Sequence, residues 1–251
     1  MQITKLRIFY IHYNAKKYEA KSRDPNKLRP ELFSYENCFD NLIQSIRNSK
    51  YKAKVELSIW FDGNFDDLQN DFIYKNLPSD IKTQILHAEF RGGTKSCMAL
   101  VEYIAAAEYA PNDLIYLLEN DYNHQMDWLD KTVELTQSNI PFDYISLYDH
   151  ADNYRLPLHQ RMNIQLYFSE SQIWKTGLST CWSFLAFHKT LFQDQVLLKT
   201  NEDFMLFVKL NLIGRRLITA VPGLSTHCMK GYESPAVDWK NVRASVMQTE
   251  S

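Results

Sequence analysis

Four cysteines in 251 residues, Cys38, Cys97, Cys181 and Cys228, stand far apart with no CxxC pair. Together with the lack of an N-terminal apolar stretch before a cleavage-like site, this argues for reduced thiols in a cytoplasmic chain. The net charge is only -2 and the pI about 6.4, so no global basic field recommends nucleic acid or an anionic membrane as partner. Any anion must therefore be held locally. No apolar run reaches the roughly 18 residues that span a bilayer, which excludes a transmembrane segment and leaves peripheral association open. Internal repeats and low-complexity tracts are also missing.

What is present is globular. A hydrophobic content of 45%, a charged content of 23% and a mean hydropathy of -0.39 place the chain among soluble folded proteins, long enough for one large α/β domain. Short apolar stretches alternate with segments of helical period. The strand candidates are 6–13, 55–63, 84–93, 114–120, 142–150, 181–188 and 216–223; the helix candidates are 34–48, 66–76, 95–110, 126–138 and 201–213. Strands alternating with helices predict βαβ units and a mainly parallel, Rossmann-like sheet flanked by helices. Two stretches are less regular: 14–33, rich in Lys, Arg and Pro, and 151–180, with a run of aromatics.

Several strand candidates end in chemistry. His12 follows the first and Asp62 the second, Arg91 precedes Gly92 and Gly93 after the third, and Asp149 and His150 follow the fifth. Open α/β sheets bind ligands beyond the carboxyl ends of their strands, so one edge of the sheet collects these groups. The fourth candidate, LIYLLENDYNH, closes an apolar run with Glu119 and Asp121. In a strand these two would face the same way, a costly arrangement unless a positive charge sits with them, and a divalent cation would supply it.

In FRGGTKSCMALVEYIAAAEYA, paired glycines permit a tight turn, Thr94 or Ser96 offers a cap, and a helix start with Arg91 and Lys95 nearby suits a phosphate or a ribose. The glycines lack the spacing of a Rossmann or P-loop fingerprint. Glu202 and Asp203 open a later helix after Thr200. Thr200 with Asp203 resembles a capping box, and a carboxylate held there could also serve as general base. His227 follows the last strand candidate, where a lone histidine is more often structural than a ligand.

The order of these pieces resembles the nucleotide-sugar glycosyltransferases of the GT-A fold, family 2-like, over about residues 5–230: FYIHYN, WFDG, FRGGTKSCMALVEYIA, LIYLLENDY, TNEDFMLF and STHC. The resemblance implies a single GT-A domain, with a nucleotide-binding half over 5–125, an acceptor-binding half over 126–235 and a C-terminal tail over 236–251. The triplet Glu119-Asn120-Asp121 stands where the family has DxD, with Glu in place of the first Asp. Asp121 would then be the direct metal ligand, Glu119 would contact the ribose or a metal-bound water, and His227 would complete the shell. Asp62 would meet the nucleotide base in a pocket lined by Tyr10 and His12, with Arg91, Gly93, Thr94, Ser96 and Asn120 also on the donor. Asp203 would deprotonate the acceptor hydroxyl with inversion, and Glu202 would orient nearby groups. The helix after Gly93 lacks the Ala-Arg-Asn run common in the large inverting group.

The implied reaction moves a hexose from a nucleoside-diphosphate sugar, a UDP-sugar favoured, to a glycan or other hydroxyl acceptor, as in glycan biosynthesis. Mn2+ or Mg2+ would neutralise charge growing on the diphosphate leaving group. Aromatic residues make up 14% of the chain, and sugars stack on aromatic rings. His150, Asp152, Tyr154 and Trp174 are the candidates on the acceptor side. Two other readings compete. A sugar nucleotidyltransferase would ordinarily carry a Gly-rich loop after the first strand, where HYNAKKYEAKSR has no glycine. A non-catalytic nucleotide or carbohydrate module would need neither Asp203 nor a metal.

Overall fold

In the computed structural model, residues 3–13, 28–90, 93–157 and 164–247 are described. Within them the strand order is β3-β2-β1-β4-β9-β6-β10-β8-β7 in a nine-stranded sheet, with a separate two-stranded ribbon of β11 (Ser225–His227) and β5 (Tyr122–His124). The first four strands are β1 (Leu6–Tyr13), β2 (Val55–Asp62), β3 (Lys82–Ala88) and β4 (Leu114–Glu119). They pair in parallel, while β8 (Ile173–Gly177) and β9 (Phe184–Phe187) run against their neighbours β6 (Tyr144–Ser146), β10 (Leu217–Val221) and β7 (Leu166–Phe168). Seven of the nine strands therefore share one direction, the mainly parallel sheet expected from the alternation of elements.

Side-chain alternation explains why β1 and β4 lie at the centre. Leu6, Ile8 and Tyr10, with Leu114, Tyr116 and Leu118, pack into the apolar layer that holds Phe39, Leu42 and Ile46 of helix α1 (Tyr35–Asn48). Phe9 and Ile11, with Ile115 and Leu117, pack on the opposite face against Cys97, Leu100, Val101 and Ile104. Those four lie at i, i+3, i+4 and i+7 of a second long helix (Gly93–Ala106), one stripe of a 3.6-residue period. A strand buried on both faces reads as a continuous apolar run, which is how LRIFYIHY and LIYLLE read. Fully burying each such side chain contributes about 1.5–3 kcal/mol. Ser34 starts α1 by accepting a hydrogen bond from the Asn37 N-H at 2.9 Å.

The helical segment expected over 66–76 is two single turns, α2 (Phe65–Leu68) and α3 (Phe72–Lys75), because Asn64 and Asp71 each cap a new start. The long helix between β3 and β4, now α4, begins at Gly93 with φ +72°, upstream of both expected caps. Helix α5 (Trp128–Gln137) follows the ribbon strand β5 (Tyr122–His124), and the short α6 (Asp152–Arg155) follows β6. The stretch 151–180, read as irregular, contains the hairpin of β7 and β8. Helices α7 (His188–Leu198), α8 (Asp203–Leu212) and α9 (Trp239–Met247) complete the chain. The last occupies the expected tail and is tied to the rest by Arg243, whose Nε donates to the Glu31 carbonyl at 2.8 Å. Among the described residues no helix is long and apolar enough to cross a membrane.

Candidate functional site

The chain runs from β1 outward to β2 and β3, then returns to place β4 on the other side of β1. The carboxyl ends of β1 and β4 flank that reversal, the position whose crevice takes ligands in open α/β sheets. Tyr10 and His12 end β1 there, and Asn120 and Asp121 follow β4. Both β1 residues are buried. The Tyr10 hydroxyl donates to the Asn120 carbonyl at 3.2 Å. The His12 ring lies between Asp71 Oδ1, 3.1 Å from Nε2, and the Asn120 amide nitrogen, 3.2 Å from Nδ1. With the amide as donor, Nδ1 accepts and Nε2 carries the proton toward Asp71. Tyr10 and His12 thus lie beneath the crevice, where they fix the turn that carries Asp121.

The strand ends at Glu119, and Asn120 and Asp121 form a turn into β5. The alternation that would align Glu119 with Asp121 therefore stops one residue too early. Glu119 continues the α4 side of β4, and its N-H donates to Ser183 Oγ at 3.1 Å. Asp121 is instead reached by the ribbon. β11 (Ser225–His227) returns antiparallel to β5 with His227 opposite Tyr122, and the two rings stack with centroids 5.1 Å apart and planes within 5°. This register brings His227 Nε2 to 3.0 Å from Asp121 Oδ2.

Arg29, from the basic stretch after β1, donates to the same Oδ2 at 2.9 Å. Burial alone would raise the Asp121 carboxyl, but His227 and Arg29 outweigh it and hold the group well below the usual carboxylate range. Burial would likewise lower His227, yet the facing Asp121 carboxylate lifts it above its ordinary value.

The expected metal fits this donor set in a particular way. Asp121 Oδ2 and His227 Nε2 set a carboxylate oxygen beside an imidazole nitrogen, a donor pair that would suit a divalent transition ion. Among the described residues, however, no group of three or more His, Cys, Asp or Glu side chains is placed to hold one. A shell this sparse suits a cation that brings most of its ligands with it as phosphate oxygens and water.

The other carboxylates lie around this centre. Asp62 is fully buried at the end of β2, where Oδ1 accepts the Phe90 N-H at 2.8 Å and ties the strand to the start of the next turn. Arg91 and Gly92 lie outside the described residues. Gly93 and Thr94 sit in the first turn of α4, while Ser96 is buried and accepts from Trp60 Nε1 at 3.0 Å, facing the sheet. Asp203 is the first residue of α8, and the helix is capped at Glu202 without a side-chain bond. The Thr200 hydroxyl donates to the Val196 carbonyl at 2.7 Å, so the expected capping box does not form. Glu202 is exposed.

Asp203 lines a cavity of about 170 Å³ with His150, Asp152, Thr180, Cys181 and Phe204. Cys181 connects this cavity to the crevice. Burial pushes its thiol up, and the charges of Glu119, Asp203 and Asp121 push it further. A second link is aromatic: Tyr148 lies with ring centroids 6.3 Å from His227 and 4.9 Å from His150. The acceptor-side residues divide. His150 and Asp152 line the cavity, whereas Trp174 is fully buried in the core and Tyr154 donates to Asp149 Oδ2 at 2.5 Å. Asp149 also accepts from Lys175 Nζ at 2.6 Å, so it anchors the turn after β6.

Two features of the site had no motif in the sequence. Arg29 sits in a stretch marked only by its basic residues, and Cys181 precedes β9 with nothing to distinguish it.

No protein-family profile matches the chain, and no curated protein matches it by sequence. Solved structures do. A mannosyltransferase from Pyrobaculum calidifontis, solved with GDP-Man and Mn2+, aligns at 13% identity over 87% of this chain and 55% of that one, with a TM-score of 0.51. A putative nucleotide-diphospho-sugar transferase from Desulfovibrio desulfuricans G20 aligns at 11% identity over 86% of this chain and 80% of that one, also at 0.51. The inositol-1-phosphate CTP transferase from T. maritima aligns over 99% of this chain and 98% of that one at 13% identity, with a TM-score of 0.49. The chain spans about half the length of the mannosyltransferase. These likenesses show the fold, which is GT-A-like.

Proposed function

We propose that the chain is a glycosyltransferase that moves a sugar from a nucleoside-diphosphate donor to a hydroxyl acceptor. The observation that carries this reading is the return of β11 onto β5, which sets His227 against Asp121 at the reversal point of a GT-A-like sheet. Asp62 would meet the base, and Gly93 and Thr94 would approach the nucleoside at the start of α4. Asp121 and His227 would hold a divalent cation, Mn2+ being well matched to a mixed oxygen and imidazole shell. When bound, that ion supplies charge neutralisation for the leaving diphosphate.

The chain's own contribution is placement. Tyr10 and His12 fix the Asn120 turn and so aim Asp121 into the crevice. Asp203, across Cys181 in its own cavity, would accept the proton of the attacking hydroxyl, which approaches the anomeric carbon from the face opposite the leaving group and inverts it. Glu119 would lie toward the ribose. A cavity of about 170 Å³ and the half-buried His150 and Asp152 give the acceptor polar partners.

The test is release of nucleoside diphosphate from UDP-, GDP- and dTDP-sugars and of CMP from CMP-sugars, in Mn2+ and in EDTA. One donor should be turned over, with metal only. Formation of pyrophosphate from a nucleoside triphosphate and a sugar phosphate, with no donor consumed, would instead establish nucleotidyl transfer.

A further inference from the structure

Arg29 sits on Asp121 among the described residues of the crevice, and the proposed mechanism gives it no task. Its guanidinium is held from several sides. Nη1 donates to Asp121 Oδ2 and to the Cys228 carbonyl, each at 2.9 Å, and Nη2 donates to the Tyr35 hydroxyl at 3.2 Å. The Phe33 ring lies under it, 4.4 Å from centroid to Cζ. A quarter of the side chain is nevertheless exposed, against 12% of the Asp121 side chain, so Arg29 is the more solvent-accessible member of the pair.

Asp121 Oδ2 therefore faces the Arg29 guanidinium as well as the His227 imidazole. A divalent ion placed on the same oxygen would meet the arginine charge at close range with only sparse protein ligands to offset it. A diphosphate changes that balance. Guanidinium is a rigid fork of N-H donors that matches phosphate oxygens in pairs, and a diphosphate offers more negative charge than one carboxylate.

We propose that Arg29 is a diphosphate-binding residue that occupies Asp121 until the donor arrives, so that a divalent cation binds at Asp121 only after the nucleotide has drawn the guanidinium away. The order of binding is then nucleotide first, metal second. This rests on the proposed function and goes beyond it by naming a phosphate ligand and the sequence of events.

The experiment is a pair of titrations on wild type, Arg29→Gln and Arg29→Lys. The first follows Mn2+ alone, by the loss of the free-ion electron paramagnetic resonance signal. The second follows, by calorimetry in EDTA, whichever of UDP, GDP, CDP and dTDP the wild type binds best in Mn2+. Arg29→Gln should take up Mn2+ without nucleotide at least about tenfold more tightly than wild type, and should bind the nucleoside diphosphate in EDTA at least about tenfold more weakly. Arg29→Lys keeps the charge and loses the fork, so it should still exclude Mn2+ while binding the diphosphate more weakly than wild type. It covers the case in which the glutamine variant does not fold.

Equal Mn2+ affinity in wild type and both variants, or equal nucleotide affinity in EDTA, overturns the inference and leaves the proposed function standing. Failure of the wild type to bind any of the four nucleotides in Mn2+ overturns both.

Discussion

His227 and Asp121 are 106 residues apart in sequence and 3.0 Å apart in the fold. The contact exists because β11 pairs with β5 rather than with the main sheet, and the register of that ribbon leaves no other residue of β11 opposite Tyr122. A short two-stranded ribbon thus closes one side of the crevice between β1 and β4. The carboxylate and imidazole it joins are the pair on which the proposed chemistry turns.

The division of labour across Cys181 gives the first prediction. Asp203 lies in the cavity and Asp121 in the crevice, so Asp203→Asn should leave nucleotide-sugar binding within about threefold of wild type while transfer falls by about two orders of magnitude or more. Donor binding by calorimetry and turnover by diphosphate release separate the two. Unchanged turnover would remove Asp203 from the role of base.

The Lys175 and Asp149 pair supports the wall that carries His150 and Asp152. Both side chains are almost fully buried, and Asp149 also receives the Tyr154 hydroxyl. Lys175→Met leaves a carboxylate buried without its cation and should cost about 3 kcal/mol in urea unfolding. Adding Asp149→Asn removes that charge and should restore most of the loss. A single variant within about 1 kcal/mol of wild type would show that the pair is dispensable.

His124 makes stability depend on pH. Burial pushes its imidazole down to about 3, and its Nε2 lies 2.9 Å from the Tyr116 hydroxyl, placed to accept as a neutral ring. The unfolded chain, with a histidine near 6.5, takes up the proton more readily. This contribution is therefore present above pH 6.5 and is lost as pH falls toward 3, at about 1.4 kcal/mol per unit. Between pH 7 and pH 5 the wild type should lose about 2 kcal/mol more than His124→Gln, measured by urea unfolding at both values. Equal losses would mean that the ring is not held neutral.

Much of the fold was legible because its central strands are buried on both faces. LRIFYIHY, VELSIWFD and LIYLLE are mostly apolar, short and rich in β-branched or aromatic residues, as strands covered on both faces are. The α4 stripe of Cys97, Leu100, Val101 and Ile104 was legible for the same reason. Helix α7 was not, since its buried set includes His188, Thr190 and Asp194 and the polar members hide the period. The β7 and β8 hairpin escaped because its Phe168 and Leu166 are exposed, which scrambles the usual alternation. In the candidate site, Asp121, His227 and Asp203 stand out in the sequence by their place after strands or at a helix start. Ser96 was misread because a hydroxyl near a Gly-rich turn looks the same whether it faces a ribose or Trp60. Arg29 had no signal, since its partner is 92 residues away.

The central claim is that Asp121 holds a cation with the diphosphate of a nucleotide donor, and thermal unfolding tests it most directly. Wild type should be stabilised by one nucleoside diphosphate or nucleotide sugar by several degrees more in Mn2+ than in EDTA, and Asp121→Ala should lose that metal-dependent gain. Equal stabilisation with and without metal, or a full shift retained by Asp121→Ala, would contradict it.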